Sequence, residues 1–314
     1  MNIIAIVTCH NRRDLTLACL SSYFGQTHDS RVSLDLVLVD DGSTDETAEA
    51  VRRRFPGTRV IAGSGDLFWA RGMALAEESA LVSDPDFLLW LNDDVVLDKD
   101  ALSRLIDTSS RDAEGCITVG AVRDPVTGDL TYSGLRRRGV HPLVWDLVEP
   151  ADNPVEVETF NGNVVLVPRS VTTKVGLIDG VLSHSAADLD YGLRAAQAGV
   201  PALLATSTVG TCARDGSRRP WLDPTLNRRG RFRVLFSLKG LPPRPRAHYL
   251  IRHGGPIWFV FWVAPYISAL FGIVCVSPRL RLLRRDRSDD PTRVAGCHDP
   301  CGDMTRNDAA GTDD

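Results

Sequence analysis

Phe87-Leu88-Leu89-Trp90-Leu91-Asn92-Asp93-Asp94 is an apolar run that ends abruptly in two carboxylates. A continuous apolar stretch of this length suits a strand buried on both faces, as in a parallel sheet. Ligands of open α/β sheets collect beyond the carboxyl ends of such strands. Two carboxylates there supply hard oxygen donors of the kind that hold Mg²⁺ or Mn²⁺ against a diphosphate. Read alone, the doublet is more simply a polar turn, so its meaning depends on what surrounds it.

Upstream, strand and helix patterns alternate. Ile3 to Thr8 reads as a strand, Arg13 to Phe24 as a helix and Leu34 to Val39 as a second strand. Ser43 and Glu46 have capping-box spacing and predict a helix running through Arg54. Arg59 to Ala62 follows as a short strand, and Phe68 to Leu81, rich in alanine, as a helix. This alternation argues for parallel strands joined by right-handed crossovers. Downstream the pattern changes. Thr127-Gly128-Asp129 predicts a hairpin turn, Val155 to Val167 one or two further strands, and Ala187 to Ala198 a helix stopped at Gly199.

Several residues at predicted strand ends can carry chemistry. The second strand ends in Val39-Asp40-Asp41-Gly42-Ser43-Thr44-Asp45. A carboxylate there can accept hydrogen bonds from a nucleobase or ribose, and the following helix amides favour phosphate; a plain turn is the simpler alternative. Thr8 would face the same crevice. Arg71 enters a helix behind Gly63-Ser64-Gly65 and can pair with phosphate, or can be a surface residue. The glycines match neither a P-loop nor a dinucleotide fingerprint. Asp188 opens a helix whose dipole favours the ionised form, making it a candidate general base or a simple charge complement to the helix end.

The chain has 314 residues, 43% hydrophobic and 24% charged, with a formal net charge of -4, values of an ordinary globular protein with no call for nucleic acid as a partner. Arginines crowd the last third, around Arg228 to Arg252 and Arg279 to Arg287. Met1 to Val7 lacks the basic leader of a signal peptide. The seven scattered cysteines fit a reducing compartment. Cys297 and Cys301 flank His298 in a polar tail with too few neighbouring ligands to predict a metal site. Pro256 to Ser277 is apolar enough to meet a bilayer, interrupted by Pro265 and preceded by a basic amphipathic stretch. It reads as membrane-associated, lying in the interface or spanning; packing under the rest of the chain or within an oligomer is the alternative.

Taken in order, Thr8-Cys9-His10-Asn11-Arg12, Val39 to Asp45, Asn92-Asp93-Asp94, and Gly162-Asn163 with Ala187-Asp188-Leu189-Asp190 resemble the family 2 glycosyltransferases of the GT-A fold. The resemblance covers about residues 1 to 210. It implies an α/β fold of GT-A type, with a Rossmann-like nucleotide-binding half, a mixed central sheet and a C-terminal helical membrane-associating region. The expected divisions are 1–215 for the catalytic domain, with 1–110 as its nucleotide-sugar half and 111–215 as its acceptor half. A basic and apolar helical region, 216–285, and a disordered tail, 286–314, would follow.

The resemblance also implies an activity: metal-dependent, inverting transfer of a sugar from a nucleoside-diphosphate donor to an acceptor hydroxyl in cell-surface glycan assembly, with Mg²⁺ or Mn²⁺ as cofactor. Thr8, Asp40 and Asp41 would contact the nucleoside, Arg71 the nucleotide, Asp93 the ribose and Asp94 the metal, and Asp188 would be the base. A glycan or lipid-linked acceptor would place the protein on the cytoplasmic face of the cell membrane. The pattern departs from the family in two places: Ala187 stands where a glutamate often precedes the base, and Thr208 to Arg214 lacks the histidine many members carry. Arg214 neutralising phosphate directly, or Cys212 as a soft ligand, would fill that place. A non-catalytic nucleotide-sugar-binding subunit of the same fold is the alternative function. A nucleotidyltransferase is disfavoured, because Thr8 to Arg12 is not a glycine-rich loop.

Overall fold

The structure, a computed structural model, describes residues 1–112, 115–182, 186–214, 220–223, 225–238, 240–275 and 293–295. The first half runs β1 (Asn2–Cys9), α1 (Arg13–Phe24), β2 (Ser33–Asp40), α2 (Thr47–Arg54), β3 (Arg59–Ala62), α3 (Phe68–Leu81), β4 (Phe87–Leu91), β5 (Val96–Leu97) and α4 (Ala101–Ser109). Next come β6 (Ile117–Arg123), β7 (Leu130–Tyr132), β8 (Gly134–Arg137), β9 (Val144–Leu147), β10 (Val155–Val157), β11 (Thr159–Phe160) and β12 (Val164–Pro168). Then follow α5 (Arg169–Val175), α6 (Ala187–Gln197), β13 (Ala202–Thr211), α7 (Arg228–Leu235), α8 (Pro243–His253), α9 (Trp258–Cys275) and β14 (Arg293–Ala295).

The main sheet has the order β10-β13-β6-β12-β4-β1-β2-β3. Its last four strands are parallel, β12 is antiparallel to both β4 and β6, and β13 is parallel to β6. The order reverses between β1 and β4, so a crevice opens beyond their carboxyl ends at Cys9 and Leu91. Successive residues of β1 feed opposite cores. Ile4 and Ile6 pack with Met73 and Trp90 under α3, and Ile3, Ala5 and Val7 pack with Leu20 and Leu102 under α1 and α4. Burial on both faces explains why these strands read as unbroken apolar runs.

The predicted capping box does not form. Glu46 adopts left-handed backbone angles at the start of α2 with no side-chain cap, and the Ser43 hydroxyl accepts the Asn11 N–H instead. Asp45 takes over, accepting the N–H groups of Arg13 and Thr47 and so tying the starts of α1 and α2 together. The stretch Val155 to Val167 resolves into three short strands rather than one or two, because β11 leaves the main sheet to pair with β8 in a second sheet. Arg293–Ala295 pairs with β9 inside the stretch read as a disordered tail. Most of that tail, with Cys297, His298 and Cys301, lies outside the described residues.

The rear helices dock on the α/β core through ion pairs as well as apolar contact. Tyr249 and Leu250 of α8 join the core beneath α6. Arg252 and His253 of α8 meet the fully buried Asp190 of α6 at 2.6 and 2.8 Å, and Arg252 and His248 meet Asp179. Burial works against the Asp190 carboxylate, but His253, Arg194 and Arg252 hold its pKa down at about 2. In α9, Tyr266, Ala269 and Ile273 pack on Leu235 and Leu241, while Phe259, Val263, Ile267 and Phe271 stay exposed on one face. Among the described residues, no helix is long and apolar enough to cross a membrane.

Glu77 of α3 is fully buried, and its Oε2 accepts the Ile178 N–H at 2.7 Å, fixing α3 to the segment leading into α6. Burial pushes its pKa up from 4.5 to about 8. Between these values the unfolded chain releases the proton and the folded chain keeps it, so stability falls as pH rises from about 4.5 to about 8. A shift of this size is worth on the order of 5 kcal/mol at most. Glu77→Gln keeps an acceptor for Ile178 and removes the ionisation. Its melting temperature is expected to exceed the wild type's by several degrees at pH 8.5 and to converge with it near pH 5. Equal melting temperatures at both pH values would contradict this account of Glu77.

Candidate active site

A cleft opens at the reversal point of the sheet, lined by the end of β1 and the residues after it, by residues following β2 and β4, and by the loop before α3 and the start of that helix. Of the predicted site residues, Thr8, Asp41 and Asp93 line it directly. Asp40 lies buried behind them, with Oδ1 accepting the Ser43 N–H at 3.0 Å.

Asp41 does more than face the cleft. Its carboxylate accepts backbone N–H bonds from Gly65 at 2.7 Å and from Leu67 and Phe68 at 2.9 Å, which fixes the loop between β3 and α3. Gly63 allows this approach, since a Cβ there would lie 2.6 Å from Asp41 Oδ1. A carboxylate has about four lone-pair directions, so roughly one remains for a ligand. Gly65 and Phe68 on the same loop form part of the cleft wall.

At the end of β4, the buried Asn92 ties the turn in place. Its N–H bonds Asn163 O at 3.0 Å, and its Oδ1 accepts Trp69 Nε1–H at 2.7 Å. The turn presents Asp93 and Asp94 side by side, and Arg12 Nη1 donates to Asp93 Oδ1 at 3.1 Å and to Asp94 Oδ2 at 3.0 Å. The Cys212 thiol donates to the other oxygen of Asp94 at 3.4 Å.

Asp188 stands at the first turn of α6. Its Oδ2 accepts the Gly162 N–H at 3.0 Å and its Oδ1 accepts its neighbour Leu189 N–H at 2.8 Å. Gly162 has no room for a side chain: a Cβ would sit 2.6 Å from the Trp69 ring and 3.3 Å from the Asp188 Cβ. The pairing of Leu91 with Val164, extended by the Asn92–Asn163 bond, sets Gly162 beside the turn bearing Asp93 and Asp94. The two carboxylate groups, 94 positions apart in sequence, therefore border one edge of the sheet.

The direction of the Asp188 pKa shift differs from the sequence-based expectation. A helix N-terminus was expected to favour the ionised form, yet burial dominates and raises the pKa, with the Gly162 and Leu189 N–H groups only partly offsetting it. A raised carboxyl pKa strengthens the conjugate base, which suits a group that must accept a proton near neutral pH.

Of the other predicted residues, Asp40, Asp94, Asp188, Arg71 and Arg214 do not line the cleft. Arg71 is exposed on α3 and donates from Nε to Gly180 O at 3.3 Å. Arg214 directs Nη2 to the carbonyls of Leu130 and Thr131 at 3.3 and 3.4 Å. Cys212, rather than Arg214, is the group brought against Asp94. Arg12 belongs to the first motif, in which the sequence gives it no role, and the fold brings it to both acidic side chains. Trp69, a cleft residue that braces Asn92 and Gly162, gave no signal beyond its apolar position in a helix.

Among the described residues, no group of three or more His, Cys, Asp or Glu side chains is arranged to hold a metal ion. The donor set still fits a cation that arrives with a diphosphate. Mg²⁺-type ions bind through one or two carboxylates, with waters and substrate phosphates completing the shell. Asp93 and Asp94 supply that number.

Residues 4–150 match the family model Glycosyl transferase family 2. An N-acetylglucosaminyl-diphospho-decaprenol L-rhamnosyltransferase of Mycobacterium tuberculosis is 26% identical over 193 residues, covering 53% of this chain and 62% of the relative. The chain thus spans less than two thirds of the curated relative's length. Among solved structures, GalNAc-T7 with UDP, GalNAc and Mn²⁺ aligns with a TM-score of 0.57 at 15% identity, over 87% of this chain and 59% of that one. Residues 1–349 of S. aureus TarS in complex with UDP-GlcNAc align with a TM-score of 0.50 at 12% identity, over 86% and 73%. These likenesses show the fold.

Proposed function

We propose that this chain, whose residues 4–150 match the family model of glycosyl transferase family 2, transfers a sugar from a nucleoside-diphosphate donor to a hydroxyl of a lipid-linked glycan, by one inverting displacement. The observation that carries this reading is the shared sheet edge: the Asp93–Asp94 turn just after β4, and Asp188 held by Gly162 just before β12, the strand paired with β4. The rhamnosyltransferase relative, whose name specifies a polyprenyl-diphosphate acceptor, supports a lipid-linked substrate.

Asp94, with Asp93 beside it, would hold Mg²⁺ or Mn²⁺. That ion neutralises charge on the departing diphosphate. Thr8 and the loop fixed by Asp41 shape the nucleoside end of the cleft. Asp188 acts on the opposite partner. As the acceptor oxygen forms its bond to the anomeric carbon, the bond from that carbon to the diphosphate breaks and the hydroxyl proton passes to the Asp188 carboxylate. The Gly162 and Leu189 N–H groups orient that carboxylate, so the gain comes from positioning and from matched proton affinity. A single displacement inverts the anomeric configuration.

The test uses the full chain with polyprenyl-diphospho-N-acetylglucosamine as acceptor and a panel of dTDP-, UDP- and GDP-sugars, with Mn²⁺ present and absent. At least one donor should give a metal-dependent product of inverted configuration. Neither transfer nor binding with any donor would remove the reading.

A lipid acceptor requires access to a membrane surface, which this reading places on the cytoplasmic side, and the exposed faces of the rear helices support a membrane contact. The exposed face of α9 carries Phe259, Val263, Ile267 and Phe271, and Arg228, Arg229, Arg233 and Arg244 are exposed on α7 and α8. An apolar helical face with nearby basic side chains suits the interface of anionic lipid. Co-sedimentation with phosphatidylglycerol vesicles is expected, and should fall several-fold when Phe259 and Phe271 are both replaced by Ser. Unchanged sedimentation of that variant would exclude α9 as the contact.

A further inference from the structure

Arg12 occupies the space between the two acidic side chains of the cleft. Its Nη1 lies 3.1 Å from Asp93 Oδ1 and 3.0 Å from Asp94 Oδ2. The three side chains are largely shielded from solvent, at 13% exposure for Arg12, 8% for Asp93 and 19% for Asp94. Arg12 immediately precedes α1 in a bend begun by Asn11, whose φ of 50° is left-handed. Asn11 Oδ1 accepts the Thr44 N–H and its own N–H bonds Ser43, so the bend is fixed from the β2 side. The arginine is thus aimed across the crevice by the backbone.

We infer that Arg12 is a resident counter-cation that competes with the divalent ion for Asp93 and Asp94, and that passes to the diphosphate when the ion binds. The inference rests on the metal assignment made above and adds a residue and an order of events to it. A divalent ion needs carboxylate oxygens at about 2.0–2.6 Å. A guanidinium nitrogen about 3 Å from one oxygen of each carboxylate fills that same space, and two cations held there would repel strongly in a partly desolvated site. Asp94 Oδ1 is engaged as well, by the Cys212 thiol. Entry of the ion therefore requires Arg12 to leave. A displaced guanidinium, with its planar fork of donors, is matched to phosphate oxygens, and a diphosphate bridged to the ion would be its nearest anion. Metal and diphosphate then bind cooperatively: each alone meets a cleft closed by the ion pair, and together they give every charge a partner.

The consequence is measurable without turnover. Mn²⁺ binding to the full chain, read by electron paramagnetic resonance with no nucleotide or sugar present, is expected to be weak in the wild type and at least tenfold tighter in Arg12→Gln. Mn²⁺ added together with inorganic diphosphate should bind the wild type much more tightly than Mn²⁺ alone, and this coupling should shrink toward unity in Arg12→Gln. Arg12→Lys keeps a charge but not the fork. It should retain weak Mn²⁺ binding and lose part of the coupling, which provides a second reading if the glutamine variant folds poorly. A structural role alone would move the melting temperature and leave the coupling intact. Equal or weaker Mn²⁺ affinity in Arg12→Gln overturns the inference. Asp94→Asn separates the two levels: if it abolishes Mn²⁺ binding while Arg12→Gln changes nothing, only the arginine proposal falls. If Mn²⁺ binding survives Asp94→Asn, the metal assignment falls and this inference with it.

Discussion

Asp188→Asn is expected to lower turnover by about 10³-fold, within the 10²–10⁴ range typical of a positioned general base, while donor affinity stays within about threefold of the wild type. The reasoning starts from partners. Asp188 bonds Gly162 N–H and Leu189 N–H rather than groups on the nucleotide side, so replacing it leaves the Thr8, Asp41 and Asp93 end of the cleft in place. Asparagine has one acceptor oxygen where the carboxylate offers two, so one of these bonds is lost, at a cost of about 1 kcal/mol in stability. Proton acceptance is lost entirely. The wild type should show activity that declines as pH falls through the Asp188 pKa, which burial raises above that of an ordinary carboxyl. The base acts only when deprotonated, so activity is present above that pKa and lost below it. The asparagine variant should lack this acidic limb. Turnover within tenfold of the wild type, with the limb intact, would assign the base elsewhere.

Asp94→Asn should produce a different loss. About 10²–10³ in kcat/KM is expected, the scale of removing one preorganised electrostatic contact to a developing charge, and much of it should appear in donor and Mn²⁺ affinity. Asp94 is the more exposed of the two adjacent acids, and its oxygens meet Arg12 and Cys212. Neutralising it leaves Arg12 with Asp93 and removes the stronger claim on a cation. Titration of activity with Mn²⁺ checks this: the half-saturating concentration should rise at least tenfold, whereas in Asp188→Asn it should not change. Identical metal titrations for Asp94→Asn and the wild type would contradict the role given to this carboxylate.

Much of the nucleotide half was legible because local and long-range signals agree there. The bounds expected for α1, β3, α3 and β4 are the bounds observed, since apolar runs buried on both faces and helices with one packed face leave few alternative readings. The start of α2 was misread for a competing hydrogen bond. Ser43 has capping-box spacing, but Asn11 lies close in space and takes its hydroxyl, and Asp45 does the capping work between two helices. No sequence spacing shows a partner 32 positions away.

The site was legible as a set of residue types at strand ends and less so as a set of contacts. Asp40 ends β2, and Asp41, Asp93 and Asp94 follow strands, which a linear pattern detects. That Asp41 would be occupied by three backbone amides depends on the course of the loop from Gly63 to Phe68. Arg71 and Arg214 were chosen for charge, yet the donors shown for them reach Gly180, Leu130 and Thr131. Arg12, the cation at the acidic turn, lies 81 residues before Asp93. The ionisation of Asp188 was misjudged for a related reason. A helix terminus is visible in sequence, but the burial that outweighs it comes from tertiary neighbours such as Gly162, 26 positions earlier.

The central claim is that Asp94 and Asp188 flank one sugar at one sheet edge. A crystal structure of the Asp188→Asn variant with Mn²⁺ and a nucleoside-diphosphate sugar tests it most directly, because the variant should bind the donor without consuming it. The expected result is an ion on Asp94 bridging the diphosphate, Arg12 turned from the carboxylates to a phosphate oxygen, and the anomeric carbon lying between the diphosphate and residue 188. A donor bound away from the edge formed by β4 and β12, or an anomeric carbon facing away from residue 188, would contradict it.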